Sequence, residues 1–106
     1  MVTSVQEKDN GKVISLKKGE LFQVSLLENA STGYIWLEEI FSETNVLLLK
    51  NEDYLSDHSV IGRSSIRTWT YAANGIGKRL LRFHYQRPWD LDAVKSFEVT
   101  VNVRGS

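Results

Sequence analysis

The stretch Phe97-Glu98-Val99-Thr100-Val101-Asn102-Val103 alternates apolar with polar residues along its whole length. Successive side chains of a β-strand point to opposite faces of a sheet, so this period of two predicts a strand with one face buried and the other in water. The run from Leu81 to Tyr85 has the same period, with Leu81, Phe83 and Tyr85 on its apolar face. Two such strands this close in the sequence indicate an all-β fold.

The same alternation continues toward the N-terminus and predicts a β-sandwich. The turn Asn74-Gly75-Ile76-Gly77 is expected to close a hairpin, because its glycines accept the positive φ angles of a tight turn. Glu38 shares a face with Trp36, which predicts a bend or bulge in that strand. No helix is long enough to connect parallel strands, so we expect an antiparallel β-sandwich of seven to eight short strands. Besides the two strands above, the predicted strands are residues 13–16, 21–27, 34–40, 46–50 with an extension toward Leu55, and 66–73. For residues 46–50 a single helical turn is the alternative to a buried strand.

Length and charge exclude several classes of function. The chain has 106 residues, with 13 basic and 13 acidic side chains and a formal net charge of zero. This length predicts one domain, residues 1–106, and we set aside the terminal Arg104-Gly105-Ser106 because it resembles a vector remnant. The balanced charge disfavours nucleic-acid and membrane partners, so we expect a monomer that binds neither. The polar N-terminus, residues 1–11, has no signal-peptide pattern, and we expect a cytoplasmic protein.

Catalytic and metal-binding chemistry is poorly supported by the sequence. Cysteine is absent, so no disulfide, thiolate ligand or thiol nucleophile exists. His84 falls on the polar face of its strand and is interpreted as a surface residue, and the acidic pairs Glu38-Glu39 and Glu52-Asp53 are interpreted as solvated. A hydrolase that uses His58 is a rival hypothesis that rests on one polar loop residue. We therefore predict no enzyme, no metal and no cofactor.

Three loops remain that combine glycine, small polar residues and an aromatic side chain. In chain order they resemble the N-P-T-T-G-[YF], G-x-G-G and R-P-W loops of the chagasin family of cysteine-protease inhibitors. The resemblance spans nearly the whole chain, and its specificity lies in the order of the three loops on alternating strands. The matching loops are Asn29-Ala30-Ser31-Thr32-Gly33-Tyr34, Gly62-Arg63-Ser64-Ser65 and Arg87-Pro88-Trp89.

The resemblance implies both a fold and a function. It implies an immunoglobulin-like sandwich and the reversible, tight inhibition of papain-like, cathepsin L-like cysteine proteases by three adjacent loops. By this resemblance Ser31, Thr32 and Gly33 enter the protease cleft as a wedge, and the other two loops flank it. Trp89 would stack on an aromatic wall of the protease, whereas Arg87 has either a contact role or a structural one.

Two departures from the family pattern bear on the loops. Ala30 stands where the family has proline, which loosens the first loop by about 0.4–1 kcal/mol if its backbone suits proline. Ser64 and Ser65 replace two glycines, so the middle loop is expected to take another shape. The alternative to an inhibitor is a sandwich binding module for another protein or a carbohydrate, with Trp89 and Tyr34 as stacking platforms.

Overall fold

A computed structural model describes residues 2–29, 32–39, 45–56 and 64–105 of the chain, without the side chains of residues 55, 56 and 64. The described residues form two four-stranded sheets, with strand orders β1-β3-β6-β5 and β2-β8-β7-β4. The predicted all-β sandwich is therefore confirmed. A short 3-10 helix, Glu7–Asp9, follows β1. The strands are β1 (Val2–Val5), β2 (Val13–Lys17), β3 (Leu21–Asn29), β4 (Ile35–Glu39), β5 (Leu47–Ser56), β6 (Ser64–Ala73), β7 (Gly77–Gln86) and β8 (Lys95–Arg104).

The core lies between the two sheets and is formed by the alternating apolar residues. The ring centroid of Trp69 on β6 lies 4.5 Å from that of Phe83 on β7, so aromatic side chains of the two sheets are in contact. Burying rings and aliphatic chains in this way is the main favourable contribution to folding. On β8, all four apolar residues of the alternating stretch are buried: Phe97, Val99, Val101 and Val103.

Two pairs of strands differ from the antiparallel expectation. β1 pairs with β3, and β2 pairs with β8, in parallel. Parallel neighbours need a crossover connection, and between β1 and β3 this connection contains a short 3-10 helix and β2 rather than a long helix. β2, which follows β1 in the chain, belongs to the opposite sheet. The chain therefore crosses the sandwich after β1 and crosses back to form β3 beside β1. The strictly antiparallel prediction was wrong at these edges because it admitted only a helix as a crossover.

The predicted hairpin at residues 74–77 is also wrong. β6 and β7 lie in different sheets, so the turn is an arch over the end of the sandwich. Its N–H groups at Asn74 and Gly75 donate to the Val46 carbonyl at 2.9 and 3.2 Å, and a Cβ on Gly75 would approach the Asn45 carbonyl oxygen to 3.0 Å. The turn packs on the start of β5, so it directs the chain into the second sheet. Of its two glycines, Gly77 has a positive φ, 150°.

Strand limits follow the prediction elsewhere. The strand predicted at residues 46–50, with its extension toward Leu55, is the ten-residue β5, with a register shift between Leu49 and Asn51. β4 keeps its register with β7 from Ile35 to Glu39, so the bend predicted in this strand is not seen in its described residues. Among the described residues, no helix is long and apolar enough to cross a membrane.

Glu38, interpreted as solvated from the sequence, is mostly buried. Its carboxylate lies 3.0 Å from a guanidinium nitrogen of Arg79 and accepts a hydrogen bond of 2.6 Å from the Tyr71 hydroxyl. The side chains of Arg79 and Glu38 are 4% and 13% exposed. A charge on the core side of a strand is tolerated here because it is paired and hydrogen-bonded. Burial, together with the charge of Glu38, raises the pKa of Tyr71.

A second buried ion pair, between Glu28 on β3 and Arg67 on β6, lies within one sheet and bonds to Trp36 on β4 of the other sheet. The Glu28 carboxylate lies 3.1 Å from Nη1 of Arg67 and accepts the Trp36 backbone N–H at 2.8 Å. The same Nη1 donates to the Trp36 carbonyl at 2.7 Å. Nη2 of Arg67 donates to Glu52, whose side chain is 38% exposed and paired rather than freely solvated. Burial lowers the pKa of Arg67, but the bonds and charges of Glu52 and Glu28 outweigh it, so the net pKa is raised and the group stays charged.

Replacement of Glu28 tests how much this pair stabilises the sandwich. We expect Glu28→Ala to lower the free energy of unfolding by roughly 3–5 kcal/mol, because it leaves the mostly buried guanidinium of Arg67 without its buried partner. The matched control is Glu98→Ala, which removes a carboxylate whose side chain is 45% exposed and pairs with Arg82. Its effect is expected below about 1 kcal/mol. Urea denaturation measures both, and equally small losses would contradict the role given to Glu28.

Candidate functional site

The turn between β3 and β4 contains the first of the three predicted loops. Thr32 donates its hydroxyl hydrogen to the Asn29 carbonyl at 2.8 Å, and the Tyr34 N–H donates to Thr32 Oγ1 at 3.5 Å. Gly33 has a φ of 82°, a region that only glycine adopts without strain. Side-chain bonds to the backbone thus shape the part of the turn that the structure describes. Ala30 and Ser31 lie outside the described residues.

Both ends of this turn are held by the body of the sandwich. Glu28, one residue before Asn29, accepts the N–H of Trp36, two residues after Tyr34. The indole N–H of Trp36 donates to the Leu27 carbonyl at 3.0 Å, which adds a second bond between the same two strands. The distance between the two ends of the turn is therefore set by buried hydrogen bonds rather than by the turn itself.

The loop between β7 and β8 contains the third predicted loop and is closed by hydrogen bonds. The Asp90 N–H donates to the Arg87 carbonyl at 3.0 Å, and Nε2 of Gln86 donates to the Asp90 carbonyl at 2.8 Å. The Val94 N–H donates to the Tyr85 carbonyl at 2.9 Å. Trp89 is 72% exposed on this loop. The loop presents a large ring to solvent while its own backbone is bonded to the end of the sheet.

The turn between β3 and β4 and the loop between β7 and β8 are in contact with each other. The Arg87 guanidinium carbon lies 4.7 Å from the ring centroid of Tyr34, within the range of a cation–π interaction. A Cβ added to Gly33 would lie 3.5 Å from Cη2 of Trp89, so the indole edge lies beside the first turn. Tyr34 in turn stacks on Tyr85, with ring centroids 5.6 Å apart. The structure thus brings the first and third predicted loops together at one end of the sandwich.

Tyr85 connects this stack to the buried bonds beneath it. Its hydroxyl accepts the Asn29 N–H at 3.1 Å, and its ring centroid lies 4.8 Å from that of Trp36. On the other side, Nζ of Lys95 lies 4.9 Å from the Tyr85 ring centroid. The alternation of β7 predicts Tyr85 on the apolar face of its strand but does not predict a part for it in the site. It lies between both turns and the core.

The middle predicted loop is described only at its end. Gly62 and Arg63 lie outside the described residues, as does the side chain of Ser64. The backbone of Ser64 pairs with Asn29 on β3, and that of Ser65 pairs with Glu28. The chain therefore enters β6 directly beside the first turn.

The remaining chemical candidates give no catalytic arrangement in the part of the chain that the structure describes. His84 lies on the outer face of its sheet, with Nδ1 3.0 Å from Ser96 Oγ and Nε2 3.3 Å from a Glu39 carboxylate oxygen. The hydrogen bonds of Glu39 to His84 and Arg82 lower the pKa of Glu39. No group of three or more metal-ligating side chains was found among the described residues. His58 lies outside them.

Comparison with known proteins places this chain in a family. The family model described as Chagasin family peptidase inhibitor matches residues 15–101. Chagasin of Trypanosoma cruzi is 22% identical over 110 residues, with all of both chains covered, and Amoebiasin-2 of Entamoeba histolytica is 27% identical over 92% of this chain and 82% of its own. The crystal structure of a cysteine protease inhibitor from Entamoeba histolytica has the same fold, with a TM-score of 0.87 and 23% identity over 97% of this chain and 96% of that one.

Removal of the Arg87 side chain tests the contact between the two turns. Because the cation–π contact contributes about 0.5–1 kcal/mol, we expect Arg87→Ala to speed amide hydrogen exchange about two- to fivefold at Gly33 and Tyr34. The control is Arg104→Ala, at the exposed end of β8. Exchange rates measured by NMR should change at the first turn in the Arg87 variant alone. Unchanged rates there would mean that Arg87 does not hold the first turn.

Proposed function

Because the chain belongs to the chagasin family of peptidase inhibitors, we propose that it is a reversible, tight-binding inhibitor of papain-like cysteine proteases and not an enzyme. The observation that carries this proposal is the family match over residues 15–101, combined with two loops that are held against each other at one end of the sandwich. A solved structure with the same fold is that of a cysteine protease inhibitor. The expected partner is a papain-like, cathepsin L-like protease.

The first turn is the proposed wedge. Ser31, Thr32 and Gly33 are small, so backbone at this turn can approach the floor of a narrow cleft. The described ends of the turn are held by the Thr32 hydroxyl and by the bond from Asn29 to Tyr85, which lowers the conformational entropy that they lose when a protease binds. A wedge that offers no aligned peptide carbonyl to the catalytic thiolate blocks the cleft without being cleaved.

The loop between β7 and β8 is the proposed flank on one side. Trp89 is largely exposed and lies beside Gly33, so its free face is available to stack on an aromatic residue of the protease. Tryptophan is one of the residue types most enriched among the hot spots of interfaces. Arg87 packs on Tyr34 instead, and we assign it a positioning role rather than a protease contact. Pro88 fixes φ between the two and stiffens the approach.

The segment Gly62-Arg63-Ser64-Ser65 is the proposed flank on the other side. Its support is the pairing of Ser64 with Asn29, which brings the end of this segment beside the wedge. The alternative function is a sandwich that binds another protein or a carbohydrate through Trp89. A titration of protease activity distinguishes it from an inhibitor.

A titration of protease activity tests the function and the role of Trp89. With substrate fixed, the protein should abolish the activity of papain and of a cathepsin L-like enzyme at a stoichiometric ratio, reversibly and without being cleaved. Trp89→Ala should weaken inhibition by about 2 kcal/mol, or about thirtyfold, because the largest exposed ring of the site is lost. Full activity of both enzymes at micromolar excess of the protein would overturn the proposal in favour of the binding module.

A pair of glycine substitutions separates stability from binding. Gly33 and Gly11 have φ angles of 82° and 86°, and an added Cβ meets nothing closer than 3.5 Å at either. Each change to alanine should therefore cost about 1–2 kcal/mol of stability through backbone strain alone. Only Gly33→Ala should also weaken inhibition, at least about tenfold, because the wedge has to leave its ordered conformation. Equal inhibition by the two variants would remove the first turn from the binding site.

A further inference from the structure

The loop between β7 and β8 exposes more apolar surface than Trp89 alone. Leu91 is 98% exposed and Val94 is 61% exposed, and both lie within five residues of Trp89. Single exposed apolar residues are common on protein surfaces, but a cluster on one loop usually marks a contact surface. Leu91 is the most exposed of the large apolar side chains that the structure describes.

The loop backbone on both sides of Leu91 is bonded to the end of the sheet. Asp90, between Trp89 and Leu91, has both backbone groups bonded: its N–H to the Arg87 carbonyl and its carbonyl to the side chain of Gln86. The bond from the Val94 N–H to the Tyr85 carbonyl closes the loop on the other side. An ordered loop presents its side chain at a low entropic cost to a partner. An exposed leucine on such a loop is therefore placed to bind.

We propose that Leu91 is a specificity-determining residue, which contacts apolar side chains on the rim of the protease cleft beside the position bound by Trp89. This inference rests on the proposed function. Covering a leucine with apolar side chains removes its surface from water, whereas a polar rim of the protease gains little from the same contact. Asp90 and Asp92, on either side of Leu91, add charge repulsion against an acidic rim. Leu91 thus favours proteases whose rim is apolar.

The test compares Leu91→Ala with a matched control against papain and a cathepsin L-like enzyme. The control is Ile76→Ala, a residue that is 68% exposed on the arch between β6 and β7. Leu91→Ala should raise the inhibition constant about tenfold for the enzyme with the more apolar rim, mainly through faster dissociation. The ratio of the two inhibition constants should therefore change, and Leu91→Met should restore it. Ile76→Ala should leave both constants unchanged.

The outcomes separate this inference from the function beneath it. Leu91→Ala could inhibit both enzymes as strongly as the unaltered protein, while Trp89→Ala inhibits them less. Leu91 would then not contact the protease, and this inference would fail while the proposed function stands. An equal loss against both enzymes would also overturn it, because a change in loop structure has no preference between proteases. If the unaltered protein inhibits neither enzyme, the proposed function fails and the inference fails with it.

Discussion

The carboxylate of Glu28 is the group on which the arrangement of the site depends. It accepts the Trp36 N–H and pairs with Arg67, which in turn donates to the Trp36 carbonyl. Both backbone groups of Trp36 are satisfied by side chains from the opposite sheet, in place of a neighbouring strand. Because the first turn leaves β3 one residue after Glu28 and enters β4 just before Trp36, one buried cluster joins the sheets and sets the width of the turn.

Local periodicity predicted most of the strands but not their connections. The alternating residues of β7 and β8 correctly predicted strands, because one face of each strand is buried. β1, Val2–Val5, was missed because four residues with one buried side chain give too short a pattern. Which strands pair depends on contacts far apart in sequence, such as those of the Asn74-Gly75 turn with Val46. A turn-forming sequence alone does not distinguish a hairpin from an arch.

The loops of the site could be predicted from the sequence, but the contacts between them could not. The motif residues Gly33 and Trp89 were found from the sequence, and the structure places them side by side. The stack of Arg87 on Tyr34 and of Tyr34 on Tyr85 has no local signal, because Tyr34 lies just before β4 whereas Tyr85 and Arg87 lie around the end of β7, far along the chain. Glu28 did carry a signal, since it continues the buried face of Phe22, Val24 and Leu26, and a carboxylate at such a position indicates a buried partner.

The register shift in β5 has a consequence for how molecules of this protein meet one another. β5 is ten residues long and lies at the end of its sheet in the described structure, where an unbroken strand would offer a template for another chain. The irregularity after Leu49 interrupts that row of backbone groups, and the exposed Lys50, Glu52 and Asp53 place charges along it. Both features discourage edge-to-edge association and amyloid-like growth. They matter in this protein because it has no disulfide bond to restrain its strands.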